Sequence, residues 1–130
     1  MEKYLIDTNV FLEIFLKQEL SENCKIYLIS KIDKIAISDF SLHSIGVILF
    51  RLKKHDQYYI FLNDVLPKIG ILGLPLNTYE SIKNIAIKYN LYFDDAYQTA
   101  IAKHYGLTIT TLDKDFNKII LDYKVEFIKN

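Results

Sequence analysis

Three aspartates, Asp7, Asp95 and Asp113, stand at ends of short apolar runs or in the first turn of an expected helix. Carboxylates packed together repel one another, and one takes up a proton unless a cation compensates. Mg²⁺ or Mn²⁺ is the natural compensator, a hard ion that binds carboxylate oxygen and keeps several waters. In phosphodiester hydrolases such ions activate the attacking water and stabilise the leaving oxygen. Other chemistries lack their residues: there is no Cys/His cluster for zinc and no glycine-rich phosphate loop. Each acid also has a bland reading. Asp7 can cap a helix, Asp94 and Asp95 can favour a helix dipole, and Asp113 and Asp115 can be turn residues. That reading is enough for Asp94 and is the better one for Asp115. The case for a site rests on Asp7, Asp95 and Asp113 meeting.

The elements around them decide whether they meet. Tyr4-Leu5-Ile6 reads as a strand ending at Asp7, with Thr8 and Asn9 capping a helix from Val10 to Lys17. Ser21 caps a second helix over Glu22 to Lys31. Ile35-Ala36-Ile37 is the next strand, followed by a helix capped by Asp39 or Ser41 and running to about Lys53. Asp56 starts a helix that Pro67 stops, and Ile69 to Leu72 forms a third strand. Asn77-Thr78-Tyr79-Glu80 carries a cap residue and an acid three positions later, starting a helix that ends near Asn90. Asp94 caps a helix to Tyr105, which Gly106 terminates in a left-handed conformation. Leu107 to Thr111 and Val125 to Ile128 are the last strands.

Strands and helices alternate, and the strands are short, continuously apolar and β-branched, which is the pattern of a parallel sheet covered on both faces. Right-handed crossovers place the C-terminal ends of all such strands on one edge, where open α/β sheets bind ligands. Asp7 and Asp113 follow two strand ends, and Asp95 opens a helix at the same edge. The expected fold is therefore α/β, a single domain over residues 1–130.

Composition narrows the partners. Sixteen basic and sixteen acidic side chains cancel, so no global positive field draws the chain to nucleic acid, and a local patch must serve. The concentrated basic cluster Arg51, Lys53, Lys54 and His55 reads best as a solvated helix end. Cys24, the single cysteine, excludes an internal disulfide and reads as a small core residue. The N-terminus opens directly into a strand, and apolar runs fall far short of the roughly 20 residues that span a bilayer. A soluble, cytoplasmic protein without a membrane partner is expected. Ten tyrosines and eight phenylalanines invite base stacking, but core packing and a dimer interface account better for most of them. Tyr58, Tyr59 and Phe61 are the interface candidates, and His104 reads as a surface residue.

Leu5-Ile6-Asp7-Thr8-Asn9-Val10 resembles the opening motif of PIN domains. Asp94-Asp95-Ala96-Tyr97-Gln98-Thr99-Ala100 resembles their third motif, and Thr110-Thr111-Leu112-Asp113-Lys114-Asp115-Phe116 their fourth. The resemblance covers essentially the whole chain. It implies a three-layer α/β/α sandwich around a central, mainly parallel sheet of four to five short strands. It also implies a metal-dependent endoribonuclease acting on single-stranded or structured RNA with Mg²⁺ or Mn²⁺. Many members are toxins of the VapC type paired with a small antitoxin protein, and homodimers are common. Carried over, Asp7, Asp95 and Asp113 are catalytic metal ligands and Asp115 is an auxiliary acid. Thr8, Asn9, Ser44 and Thr111 are expected to contact substrate.

The second motif departs from the family. In Ile37-Ser38-Asp39-Phe40-Ser41-Leu42-His43-Ser44-Ile45 the position of the family's glutamate falls on Ser44. A hydroxyl does not supply the missing charge, which implies weaker metal binding, particularly at a second ion. Asp39, at the strand end, is the better substitute on geometry. His43 is adjacent, but neighbouring helix positions point about 100° apart. A second reading follows, a catalytically weakened PIN-like module that binds RNA or protein. A phosphoacceptor receiver domain is a third, disfavoured because Thr8 replaces the second acid it needs after the first strand and only Lys129 follows the last.

Overall fold

The computed structural model describes residues 1–129. Five strands form one sheet: β1 (Tyr4–Ile6), β2 (Ile35–Ser38), β3 (Gly70–Leu72), β4 (Thr108–Thr111) and β5 (Val125–Phe127). Their spatial order is β3-β2-β1-β4-β5, and every pairing is parallel. Helices α1 (Thr8–Phe15), α2 (Ser21–Ser30), α3 (Asp39–Arg51) and α4 (His55–Ile60) precede β3, and α5 (Glu80–Tyr89) and α6 (Phe93–Tyr105) follow it. The chain moves outward from β1 to β2 to β3, then crosses back to β4 on the other side of β1. With right-handed crossovers this reversal puts α1–α4 on one face and α5–α6 on the other. Two buried clusters match: Ile6, Val10, Phe11, Ile37, Ile45 and Leu49 pack on one side, and Leu5, Ile82, Ile85, Ile101, Ile109 and Phe116 on the other. This is the expected α/β/α sandwich. The order differs from the 2-1-3-4-5 order of receiver-type sheets and turns at β1/β4, the switch point where such folds open a crevice.

Local signals settle differently from expectation at several helix starts. Asp7, not Thr8 or Asn9, is the N-cap of α1, its carboxylate accepting from Thr8 N–H. Ser38 rather than Asp39 or Ser41 caps α3, its hydroxyl accepting from Ser41 N–H at 2.9 Å. In both cases the cap is the last residue of the strand or the one just after it, because these crossovers leave no loop. Asp94 lies inside the first turn of α6, with Tyr92 at the cap. Ser21 is likewise the first helical residue of α2, and Glu13 accepts from Leu20 N–H at 2.7 Å in its place. Gly106 ends α6 at φ 69°, as expected.

Phe61 is not an interface residue. It is fully buried, its ring 5.2 Å from Phe11 and 5.4 Å from Phe15. After α4 the backbone widens into a π turn over Phe61–Val65, which rotates the helix face relative to simple helical spacing. Tyr58 is half-buried and donates to Leu42 O at 2.9 Å, while Tyr59 is exposed. Cys24 is buried, Arg51 sits exposed at the end of α3, and His104 is exposed. No helix among the described residues is long and apolar enough to cross a membrane.

Candidate metal centre

The end of β1 presents Asp7, and its amide continues the ladder by donating to Thr110 O at 2.9 Å. The carboxylate is buried and held from three directions. Thr111 Oγ1 donates to Oδ2 at 2.8 Å, while Thr8 N–H (2.9 Å) and Gln98 Nε2 (3.2 Å) donate to Oδ1. Thr111 also accepts from Asp113 N–H at 2.9 Å, so one hydroxyl ties the acids after β1 and β4 together. Asp113 in turn accepts from Asp115 N–H at 2.9 Å, closing a tight turn. Asn9 Oδ1 accepts from Leu112 N–H at 3.2 Å and fixes α1 against the end of β4.

Asp95 reaches the same place from the first turn of α6. Asp7, Asp95 and Asp113 line one cavity of about 250 Å³ together with Thr8, Asn9, Ser44, Asp94 and Gln98. On its outer side, carboxylate oxygens of Asp95, Asp113 and Asp115 lie within 4.8 Å of one another. Asp95 and Asp113 are common to both groups. The turn role of Asp115 explains its backbone, and its carboxylate extends the cluster.

The electrostatics follow from this crowding. Asp95 is only 8% exposed, and burial, then the negative charges of Asp94, Asp7, Asp113 and Asp115, push it up to about 7. Asp7 is raised as well, mainly by burial, against the opposing pull of its hydrogen bonds to Thr111, Gln98 and Thr8. Among the described residues no lysine, arginine or histidine lines the cavity. An acid cluster with two buried members, Asp7 and Asp95, and no protein counter-charge in its cavity fits a hard divalent cation. One further observation agrees. The carbonyl oxygen of Gln98 is buried without a hydrogen-bond partner, an oxygen ligand or water acceptor left over on a residue that lines the cavity.

Several expected site residues have other duties. Thr111 is fully buried, and its hydroxyl is spent on positioning Asp7. Asp39 does not line the cavity. It accepts from Tyr97 OH (2.8 Å) and Phe40 N–H (2.8 Å), and its other oxygen lies over Gly73, where an added Cβ would approach to 2.9 Å. His43 is exposed, its Nδ1 2.8 Å from Asp39 O. Neither residue is placed to supply the acid that Ser44 lacks. The basic cluster of Arg51 to His55 is also absent from the lining.

Gln98 and Ser41 were not anticipated. Gln98 Nε2 bridges Asp7 Oδ1 and Ser41 Oγ (2.9 Å), and Thr8 Oγ1 donates to the same Ser41 oxygen at 2.8 Å. Gln98 sits three residues after Asp95, and helix positions three apart share a face. That spacing was the available signal.

The PIN domain family model matches residues 4–120. No curated protein matches the chain in sequence. Among solved structures, the chain is similar to FitAB bound to an IR36 DNA fragment (TM-score 0.80, 21% identity, covering 95% of this chain and 94% of that one). It is similar to VapBC2 from Rickettsia felis bound to a DNA fragment from its promoter (TM-score 0.77, 20% identity, 97% and 98% covered). It is also similar to Mycobacterium tuberculosis VapC20, a sarcin-ricin loop cleaving toxin (TM-score 0.75, 15% identity, 93% and 96% covered).

Proposed function

Since the chain belongs to the PIN domain family, we propose that it is a divalent-metal-dependent endoribonuclease acting as the toxin of a toxin–antitoxin pair. The observation that carries this reading is the meeting of Asp7, Asp95 and Asp113 in one cavity at the β1/β4 switch point. These three would hold Mg²⁺ or Mn²⁺, with Asp115 on the outer side of Asp95 and Asp113. A bound ion supplies activation of water and stabilisation of the leaving oxygen. The protein supplies position. Thr111 and Gln98 fix both oxygens of Asp7, and Asn9 holds the turn that carries Asp113. Thr8, Asn9 and Ser44 line the same cavity and contact the phosphodiester. Water is the nucleophile, and the mechanism needs no covalent intermediate with the protein.

Partners follow from the same reading. The solved neighbours include toxin–antitoxin complexes, which supports an antitoxin protein as partner here. An apolar cleft lined by Phe11, Ile14, Phe15 and Ile29 offers it a surface, and a second copy of the chain completes the assembly. The function is tested by cleavage of mixed-sequence single-stranded RNA in Mn²⁺ or Mg²⁺, lost in EDTA and regained when metal is returned. Ser44 favours a second reading, a weakened module that binds RNA without cutting it. Persistent binding with no cleavage in either metal would select it.

The holding role of Gln98 has its own test. Groups that orient metal ligands typically contribute about 10–100-fold to affinity. Gln98→Leu, which keeps the bulk but removes the donor to Asp7, is expected to weaken Mn²⁺ binding by about tenfold or more, as measured by calorimetry. Unchanged affinity would show that Thr111 and Thr8 suffice.

A further inference from the structure

We propose that Phe93, with Tyr92 beside it, is a stacking platform for an unpaired nucleobase next to the phosphodiester held at the acid cluster. This rests on the ribonuclease reading for the identity of the ligand and goes beyond it in naming the grip. Phe93 and Tyr92 immediately precede Asp94 and Asp95 and are 55% and 84% exposed. The Phe93 ring lies nearly parallel to Tyr97, at 16° and 5.9 Å between centroids. The ring is backed by Tyr97, with Phe40 beside it, and more than half of the residue stays open to solvent.

The support beneath is rigid. Tyr97 is buried, its hydroxyl donating to Asp39 and accepting from Leu74 N–H at 3.2 Å. Asp39 therefore has a purpose in this chain: it pins the ring on which Phe93 rests. Phe40 joins the two regions, lining the acid cavity and packing against Phe93 at 6.3 Å and Tyr97 at 6.1 Å. Phe93 stands two residues before Asp95, and through Phe40, which lines the acid cavity and packs against Phe93, its ring borders the place where a phosphate would sit.

Charge points the same way. The chain is formally neutral, and among the described residues no lysine or arginine lines the cavity. Affinity carried by phosphate contacts needs clustered cations, whereas stacking uses the π face that every base presents. Only unstacked bases offer that face, so the ligand is single-stranded.

The test is fluorescence anisotropy of a labelled mixed-sequence single-stranded RNA, with Ca²⁺ present to neutralise the acids. Loss of one base–aromatic stack costs roughly 5- to 150-fold in affinity, so Phe93→Ala is expected to bind in that range below wild type. Phe93→Tyr should restore binding, and the duplex of the same sequence should bind poorly. Tyr92→Ala, at a site too exposed to affect folding, should lose at least several-fold. Equal binding by wild type and both alanine variants, or duplex bound as well as single strand, would overturn the proposal. The two readings fail separately. Metal-dependent cleavage with unchanged KM in Phe93→Ala removes the platform and leaves the nuclease. Phe93-dependent binding with no cleavage in any metal does the reverse.

Discussion

Asp95→Asn is expected to abolish metal-dependent cleavage and yet to stabilise the metal-free protein above neutral pH. The two effects have one origin. Asp95 is pushed from 3.8 up to about 7, first by burial and then by its acidic neighbours. A carboxyl whose folded pKa is raised binds more protons in the native than in the unfolded state between those values, so stability falls as pH rises across that window. The penalty is absent below about pH 4 and complete above about pH 7. Each pKa unit corresponds to about 1.4 kcal/mol, so even half of this shift gives about 2 kcal/mol. In a chain of this size that is roughly 5–10 °C in Tm. In EDTA, wild type should therefore lose Tm between pH 5 and pH 8, and Asp95→Asn should lose much less. Adding Mn²⁺ at pH 8 should restore wild type and leave the variant unmoved. Thermal melts in a two-by-two of pH and metal check this. A variant with the wild-type pH slope would mean that the acids are not coupled as described.

The second large effect is expected at Ser44. It lines the cavity opposite no cation, and Asp39 and His43 are both turned elsewhere. Ser44→Glu adds a carboxylate to the wall that lacks one. Divalent affinity should rise at least tenfold, since hard cations gain directly from added carboxylate ligands, and cleavage should accelerate with it. The same change should lower the Tm of the metal-free protein, because a further acid joins a cluster already short of counter-charge. Ser44→Ala should leave divalent affinity unchanged, since it removes no carboxylate. Calorimetry with Mn²⁺ and initial rates on single-stranded RNA provide the check. Slower cleavage in Ser44→Glu would mean that losing the contact of the Ser44 hydroxyl with substrate outweighs the gain in metal affinity.

Convergence of the acids was legible because it depends on topology alone. Asp7 follows a strand, Asp113 follows another, and Asp95 opens a helix, so a parallel sheet brings them to one edge whatever the packing details. The holding network was not legible. Thr111 and Gln98 meet Asp7 from positions 104 and 91 residues away, and beyond the three-residue spacing of Gln98 from Asp95 no local pattern encodes such partners. Asp39 stood at the right strand end for a metal ligand. A neighbour from α6, Tyr97, turned it away, which only the packed structure reveals. Phe61 failed as a surface residue because it packs against Phe11 and Phe15 of α1, partners some fifty positions away that its own segment does not reveal. The exposed aromatics before Asp94 could not be distinguished by composition from the many that fill the core.

The most direct test of the account is cleavage of labelled single-stranded RNA by wild type and Asp7→Asn in Mn²⁺, in Mg²⁺ and in EDTA. Asparagine keeps the size of Asp7 and one acceptor oxygen, but it loses the second acceptor and the charge at the centre of the cluster. The account predicts cleavage by wild type in metal, none in EDTA, and none by the variant under any condition. Cleavage that survives EDTA, or that Asp7→Asn retains in full, would contradict it.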